Sequence, residues 1–392
     1  MPFTRTLLIS AASFCVGHNI TRKIFQAAIA DKVDLYNLPF ATTALSSIQT
    51  IYDKLDDSAI PAALINATIV DLHSHIVPPW YHAIVPLSGQ VPTPNWTLAE
   101  HLSFMANNSI GHSVLSISTP GSVVFPGDEA KSAALARLLN EYMAALQHAD
   151  EQDQIVYKLP KYFSFFAVTP LPYTHKQPKI LHSITEINYA TAHLKAFGTG
   201  LLSNHEGYYL GNHTFTPLFS HLNISANNKV FIHPTDPCIH DPQNSSQLLS
   251  ANPSPYPSGL IEYYFETART LADLTVTQTI LNFTNLQWIV PHGGGAFPAV
   301  EDRFITSQPP AVQAGSRAAY ASRCFWDVAG PVFPHQVLGL LGYGVPTKRL
   351  VYGSDFPYAP SFTYAAEIAA VRNSSLLSAE EKIGLFAGNS VI

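Results

Sequence analysis

From Ala67 onward the chain alternates between two kinds of segment. Short runs rich in β-branched and aromatic residues recur at Ala67–His73, His112–Ser118, Tyr162–Thr169, Phe197–Ser203, Lys229–His233, Leu286–Pro291, Cys324–Val328 and Arg349–Gly353. Between them, apolar positions fall at helical spacing over Thr97–Asn107, Asp128–Gln147, Ser183–Ala196, Gly259–Thr279, His335–Leu341 and Phe362–Arg372. Asp128 and Glu129 put negative charge into the first turn of the clearest of these helices, where the helix dipole favours it. Alternating strand and helix predicts a parallel sheet with right-handed crossovers. Eight such units in about 330 residues predict an α/β fold, a (β/α)8 TIM barrel. A doubly wound open sheet has a similar rhythm, but no G-x-G-x-x-G follows the first run and no P-loop occurs elsewhere.

Residues 1–64 stand outside this rhythm. Ala41 to Leu55 reads as a helix or a loosely ordered arm. The chain therefore divides into an N-terminal extension, 1–64, and a barrel, 65–392. The Pro-, Ser- and Asn-rich stretch Asp236–Ser258 after the fifth strand is longer than an ordinary strand-to-helix loop. It reads either as a lid over the barrel's C-terminal face or as a solvated loop.

Composition excludes several classes of function. With 47% hydrophobic residues in 392, the chain can bury a large core and is not disordered. Net charge is −6 and Lys+Arg number only 21, which argues against a nucleic-acid surface. Three cysteines cannot staple the fold or build a Cys-rich zinc module. Cys238 in the lid segment and Cys324 opening a strand fall at opposite ends of a barrel, so they and Cys15 are expected to be unpaired thiols.

No stretch reaches the 18 apolar residues of a membrane span. The run Thr6–Gly17 after Arg5 has the length of a signal-peptide core, although no clean A-x-A site follows it. Nine N-x-[ST] sequons begin at Asn19, Asn66, Asn95, Asn107, Asn212, Asn223, Asn244, Asn282 and Asn373. About three would arise by chance in such a composition. These features lean toward the secretory route; polar loops in a cytoplasmic enzyme are the alternative.

The chemistry concentrates at strand ends. The first strand ends Asp71-Leu72-His73-Ser74-His75, and residues two apart in a strand share a face, so both imidazoles point together. With 17 His in the chain such a pair is weak evidence alone. The fifth strand, however, delivers His233, the sixth His292 followed by Gly293-Gly294-Gly295, and the eighth Asp355 followed by Phe356-Pro357. Barrel enzymes draw their functional groups from the C-terminal ends of several strands, and His with Asp is the donor set of a divalent metal. Singly, each has a plainer reading, such as a hydrogen-bonded strand-end His or an Asp capping the next turn.

Asp71–His75, His292-Gly293-Gly294-Gly295-Ala296-Phe297-Pro298 and Gly353-Ser354-Asp355-Phe356-Pro357 together resemble the amidohydrolase-related metal-dependent decarboxylases. That family includes aminocarboxymuconate semialdehyde decarboxylase and aromatic-acid decarboxylases, and the likeness is greatest to fungal 6-methylsalicylate decarboxylases. It covers roughly Ile65 to the end. The resemblance implies His73, His75, His233 and Asp355 as ligands of one divalent ion, with His292 and Asp355 catalytic. Arg303 falls where the family binds the substrate carboxylate or braces the site, sometimes across a dimer interface. Trp80 and Phe297 fall where it places aromatic pocket walls. The implied reaction is non-oxidative loss of CO2 from a small hydroxylated aromatic acid, 6-methylsalicylate to m-cresol, in a homodimer. Three His and one Asp suit Zn2+ by ligand softness; Mn2+ and Mg2+ are alternatives. Hydrolytic relatives often carry a bridging carboxylated lysine on the fourth strand, whereas Phe197–Ser203 holds none, which favours a mononuclear site. A lactone or amide hydrolase using the same ligands stays open, as does a barrel kept only for binding, which would be expected to have lost a ligand.

Overall fold

The β-rich runs form one parallel sheet. Its strands are β1 (Ile69–His75), β2 (Ile110–Ser116), β3 (Phe163–Val168), β4 (Gly198–Leu202), β5 (Lys229–His233), β6 (Gln287–Val290), β7 (Cys324–Asp327) and β8 (Leu350–Val351), hydrogen-bonded in that order. The chain beyond β8 then closes the ring against β1. Leu72 N–H donates to Tyr352 O at 3.0 Å, Asp355 N–H to His73 O at 2.8 Å, and His75 N–H to Phe356 O at 2.6 Å. The result is the expected (β/α)8 barrel. The structure is a computed structural model that describes residues 20–54, 61–147, 162–171, 180–244 and 247–390. The Thr6–Gly17 run, Cys15 and Asn19 lie outside the described residues.

Leu72, Val114, Phe166, Phe231, Ile289, Phe325 and Val351 fill the barrel interior, one from every strand except β4. In β4, Gly198 and Gly200 sit in register with Phe166 and Phe231. Those two rings stack at 4.9 Å. A Cβ on Gly198 would lie 3.0 Å from the Phe166 ring and 2.9 Å from Lys229 O. Glycine at these two β4 positions thus makes room for the neighbouring rings.

The outer layer comprises α3 (Leu98–Asn107), α4 (Glu129–Gln147), α5 (Ile180–Ala192), α6 (Thr216–Ile224), α7 (Glu262–Val276), α8 (Phe297–Ile305), α9 (Pro310–Arg323), α10 (His335–Gly342) and α11 (Tyr364–Asn373). They follow α1 (Ile20–Ala30) and α2 (Ala41–Lys54) of the extension. Thr97 caps α3 by accepting the Glu100 N–H. The long helix expected over Gly259–Thr279 breaks at Gln278, whose φ is +61°. Two helices, α8 and α9, intervene between β6 and β7 where the pattern of apolar positions had marked none.

The extension docks on the barrel. Ile24, Ala28, Leu45 and Ile48 join the same buried cluster as Leu135 and Leu139 of α4. Covered on both sides, α4 buries every residue from Ser132 to Gln147, which explains why its apolar stripe spreads all round. Asp31 of the extension pairs with buried Arg137 of α4 at 2.6 Å, and Glu186 of α5 pairs with the same guanidinium at 2.9 Å.

The Asp236–Ser258 stretch carries a two-stranded antiparallel hairpin, Cys238–His240 with Leu248–Ser250. Asn252 Nδ2 donates to Gln90 Oε1 at 3.1 Å, tying it to the segment after β1. Cys238 and Cys324 are both free.

Candidate metal centre

The C-terminal ends of β1, β5 and β8 bring His73, His75, His233 and Asp355 together, each offering a ligand atom within 4.8 Å of the others. His73 Nε2 lies 3.1 Å from His75 Nε2. Asp355 Oδ1 lies 3.1 Å from His75 Nε2 and 3.6 Å from His73 Nε2. All three histidines are buried.

The outer hydrogen bonds decide what these nitrogens present. His73 Nδ1 donates to Asp327 Oδ2 at 2.9 Å. His233 Nδ1 donates to Pro234 O at 2.7 Å. Ser116 Oγ donates to Ser74 O at 3.0 Å, so its oxygen is left to accept from His75 Nδ1 at 2.8 Å. Each ring therefore carries its proton on the outer nitrogen and turns an Nε2 lone pair inward. Three lone pairs and a carboxylate oxygen facing one point repel one another unless a cation lies between them. The donor set fits a divalent ion.

Charge states agree with this for His75 and His233. Burial pushes His75 down to about 4 and His233 well below its ordinary value, so both rings are neutral near pH 7. Burial also pulls His73 down, but the charge and hydrogen bond of Asp327 outweigh it and leave His73 raised. Burial disfavours the Asp355 carboxylate, yet the neighbouring His292, His75 and His73 imidazoles hold it well below the usual range. Asp71 is pushed up to about 7 by burial, against the Ser354 and His73 hydrogen bonds it accepts. It straps β1 to β8 through Ser354 Oγ at 2.6 Å.

His292 stands beside the cluster, its Nε2 3.7 Å from Asp355 Oδ2. Its ring stacks on Tyr264 at 5.5 Å, and its backbone N–H donates to Asp327 Oδ1 at 2.8 Å. His292 and Asp355 both have positive φ, +54° and +57°. Such conformations cost L-residues energy and collect at functional sites. The glycine run after His292 has a steric reason: Gly295 has φ +57°, and a Cβ there would meet Tyr264 O at 2.4 Å.

Other expected site residues lie elsewhere in the chain. Phe297 is fully buried, packed on Trp326 at 5.3 Å and Tyr320 at 5.0 Å. Opening α8 with its side chain turned to the sheet makes it a core residue rather than a pocket wall. Trp80 stacks on Phe40 of the extension at 5.8 Å and abuts Tyr142 at 6.2 Å; its ring anchors the arm. Arg303 is exposed on α8, outside the cluster. The aromatic rings that do face the cluster include Tyr358 against His75 at 5.3 Å, Tyr264 against His292, Phe231 against His73 at 5.0 Å and Tyr263 against His233 at 6.4 Å. Asp327 and Ser116 were missed by sequence reasoning, although Asp327 ends β7 and a carboxylate at a barrel strand's C-terminus was the available signal. Beside His233, a cavity lined by Ser116, Ile117, Val168, Leu201, His205 and Phe231 leads off the centre.

Residues 70–391 match the amidohydrolase family model. A Penicillium terrestre protein described as decarboxylase macB is 32% identical over 306 residues, spanning 74% of this chain and 84% of that one. A 6-methylsalicylic acid decarboxylase of Penicillium expansum is 28% identical over 302 residues, 74% of this chain and 85% of that one. Among solved structures, an amidohydrolase II superposes with a TM-score of 0.71 at 26% identity, covering 82% of this chain and 98% of that one. A dihydroxybenzoic acid decarboxylase from Polaromonas sp., holding manganese and 2-nitroresorcinol, shares the fold with a TM-score of 0.61 at 15% identity over 82% of this chain and 95% of that one.

Proposed function

The chain belongs to the amidohydrolase family, and on that premise we propose that it is a metal-dependent carboxy-lyase removing CO2 from a hydroxylated aromatic acid, with 6-methylsalicylate going to m-cresol. The observation that carries this reading is the convergence of three buried imidazoles, their outer nitrogens all committed to hydrogen bonds, with one carboxylate. The curated decarboxylases among its relatives supply the reaction class.

His73, His75, His233 and Asp355 would hold the ion, Zn2+ by donor softness, with Mn2+ as the relative's precedent. A divalent ion there supplies a Lewis-acidic point that neutralises the substrate carboxylate and its ortho oxygen. The protein's residues do the rest. The cavity beside His233 offers an apolar wall for the ring. Breaking the C–CO2 bond leaves its electron pair on the ring carbon, and one proton must replace the carboxylate. His292 passes that proton across the 3.7 Å gap to Asp355 Oδ2, which delivers it to carbon. Tyr264, stacked on His292, fixes the imidazole plane. Arg303, exposed on α8, serves the substrate carboxylate of a second copy in a homodimer.

The test is a panel of 6-methylsalicylate, orsellinate and 2,6-dihydroxybenzoate, followed for CO2 and phenol. Release of CO2 in step with phenol from at least one acid is expected. Hydrolysis of a lactone or amide panel with no CO2 from any acid would replace this reading with the hydrolase one.

A further inference from the structure

The sequons find no use in this chemistry, yet the fold sorts them. We propose that Asn66, Asn107, Asn282 and Asn373 carry N-linked glycans on the end of the barrel opposite the metal centre. Each of the four is the last residue of a helical segment: Ala62–Asn66, α3, Thr279–Asn282 and α11. Helices of this barrel run against the strands, so their final residues lie at the strand N-termini, away from the rim that bears His73 and Asp355. Asn66 directly precedes β1, Asn107 precedes β2 and Asn282 precedes β6.

All four asparagines are exposed, and so are their hydroxyl partners Thr68, Ser109, Thr284 and Ser375. Among the described residues, no hydrogen bond engages any of these four amides or four hydroxyls. The remaining described sequons differ. Asn212 is half-buried and accepts the Thr214 N–H. Asn223 is half-buried and accepts the Asn285 N–H at 2.9 Å. Asn95 is exposed, but Thr97 of its sequon spends its hydroxyl capping α3. Asn244 sits in the hairpin segment on the rim side and is already engaged.

In the transfer, Asn Nδ2 bonds to C1 of the first sugar of a lipid-diphosphate-linked oligosaccharide. The C1–O bond to the diphosphate breaks, and the lipid diphosphate leaves with the bonding pair while the amide gives up one proton. Such glycans have a physical purpose here. Only 12% of residues are charged, and bulky hydrated sugars on the floor replace charge as the source of solubility while leaving the rim open.

The experiment expresses the full chain through the secretory pathway of a fungal host and digests it with peptide N-glycosidase in 18O water. Each glycosylated asparagine then reads as an 18O-labelled aspartate. Label at 66, 107, 282 and 373 is expected. The variant carrying N66Q, N107Q, N282Q and N373Q should lose most of the glycan mass while keeping CO2 release and metal content. The companion carrying T68A, S109A, T284A and S375A keeps the asparagines and should lose the same mass, so a misfolded first variant does not decide the matter. Absence of label at all four sites, or label confined to 95, 212, 223 and 244, overturns the proposal. Because the readout is mass, its failure is separate from any failure of the decarboxylase reading.

Discussion

Two buried charged assemblies of this protein have opposite logic. Around Arg137 a cation is enclosed by its own counter-ions: Asp31 at 2.6 Å, Glu186 at 2.9 Å and the Tyr189 ring 3.6 Å below the guanidinium. Burial pulls Arg137 down, but Glu186 and Asp31 outweigh it and leave it raised. Only Nη1 lacks an acceptor among the described residues. Around His73 the sign is reversed: lone pairs and a carboxylate meet with no protein cation between them. The Arg137 assembly is charge-paired and holds the extension to the barrel. The His73 assembly gathers donor atoms that a bound divalent ion would join. A buried polar cluster satisfied by its own neighbours speaks of architecture; one left with surplus charge of a single sign speaks of a ligand.

Perturbing each assembly should separate the two roles. His73→Ala should reduce bound metal and CO2 release below detection while the melting curve stays cooperative, as metal analysis and calorimetry on one sample would show. Arg137→Ala should do the converse. Removing one partner of a buried ion pair costs about 3–5 kcal/mol, so denaturant unfolding should shift strongly while turnover per folded molecule is kept.

Asp327→Asn weakens the hydrogen bond that orients His73 without removing a ligand. Metal affinity should fall roughly 10- to 100-fold, the usual cost of losing an outer partner. The smallest effect concerns pH. Burial pushes Glu141 up to about 7 from 4.5, although the Tyr189 hydroxyl and Arg137 oppose the shift. A raised carboxylate means that the folded state binds more protons than the unfolded one, so its contribution favours folding below pH 4.5 and is lost as pH rises through about 7. Glu141→Gln should flatten this part of the profile, so the variant gains stability relative to the parent at pH 8 but not at pH 4. Parallel profiles for the two proteins would remove Glu141 from the account.

Much of this architecture was legible in the chain because its signals are local. All eight strands were marked by β-branched and aromatic runs, and the strand-end places of His73, His75, His233 and Asp355 followed from the barrel's habit of presenting chemistry at one rim, while their proposed role as ligands came from the family resemblance. Other features were hidden because they depend on tertiary partners. Phe297 carries the same letters whether it faces a pocket or Trp326. Trp80 found its place only because Phe40, in a segment without strand pattern, docks on it. Asp327 waited on knowing that the end of β7 comes within hydrogen-bond reach of His73. Tyr358 reaches the centre through the turn after Asp355, whose φ is positive, and Tyr264 from the first turn of α7, where Gly295 leaves room for its backbone.

The central claim is that His73, His75, His233 and Asp355 hold one catalytic ion. Elemental analysis of the purified chain before and after chelation, with CO2 release from an aromatic acid assayed on the same aliquots, tests it directly. One divalent ion per chain, activity lost on its removal and regained on its return, is the predicted result. Undiminished turnover by fully metal-free protein would contradict the account.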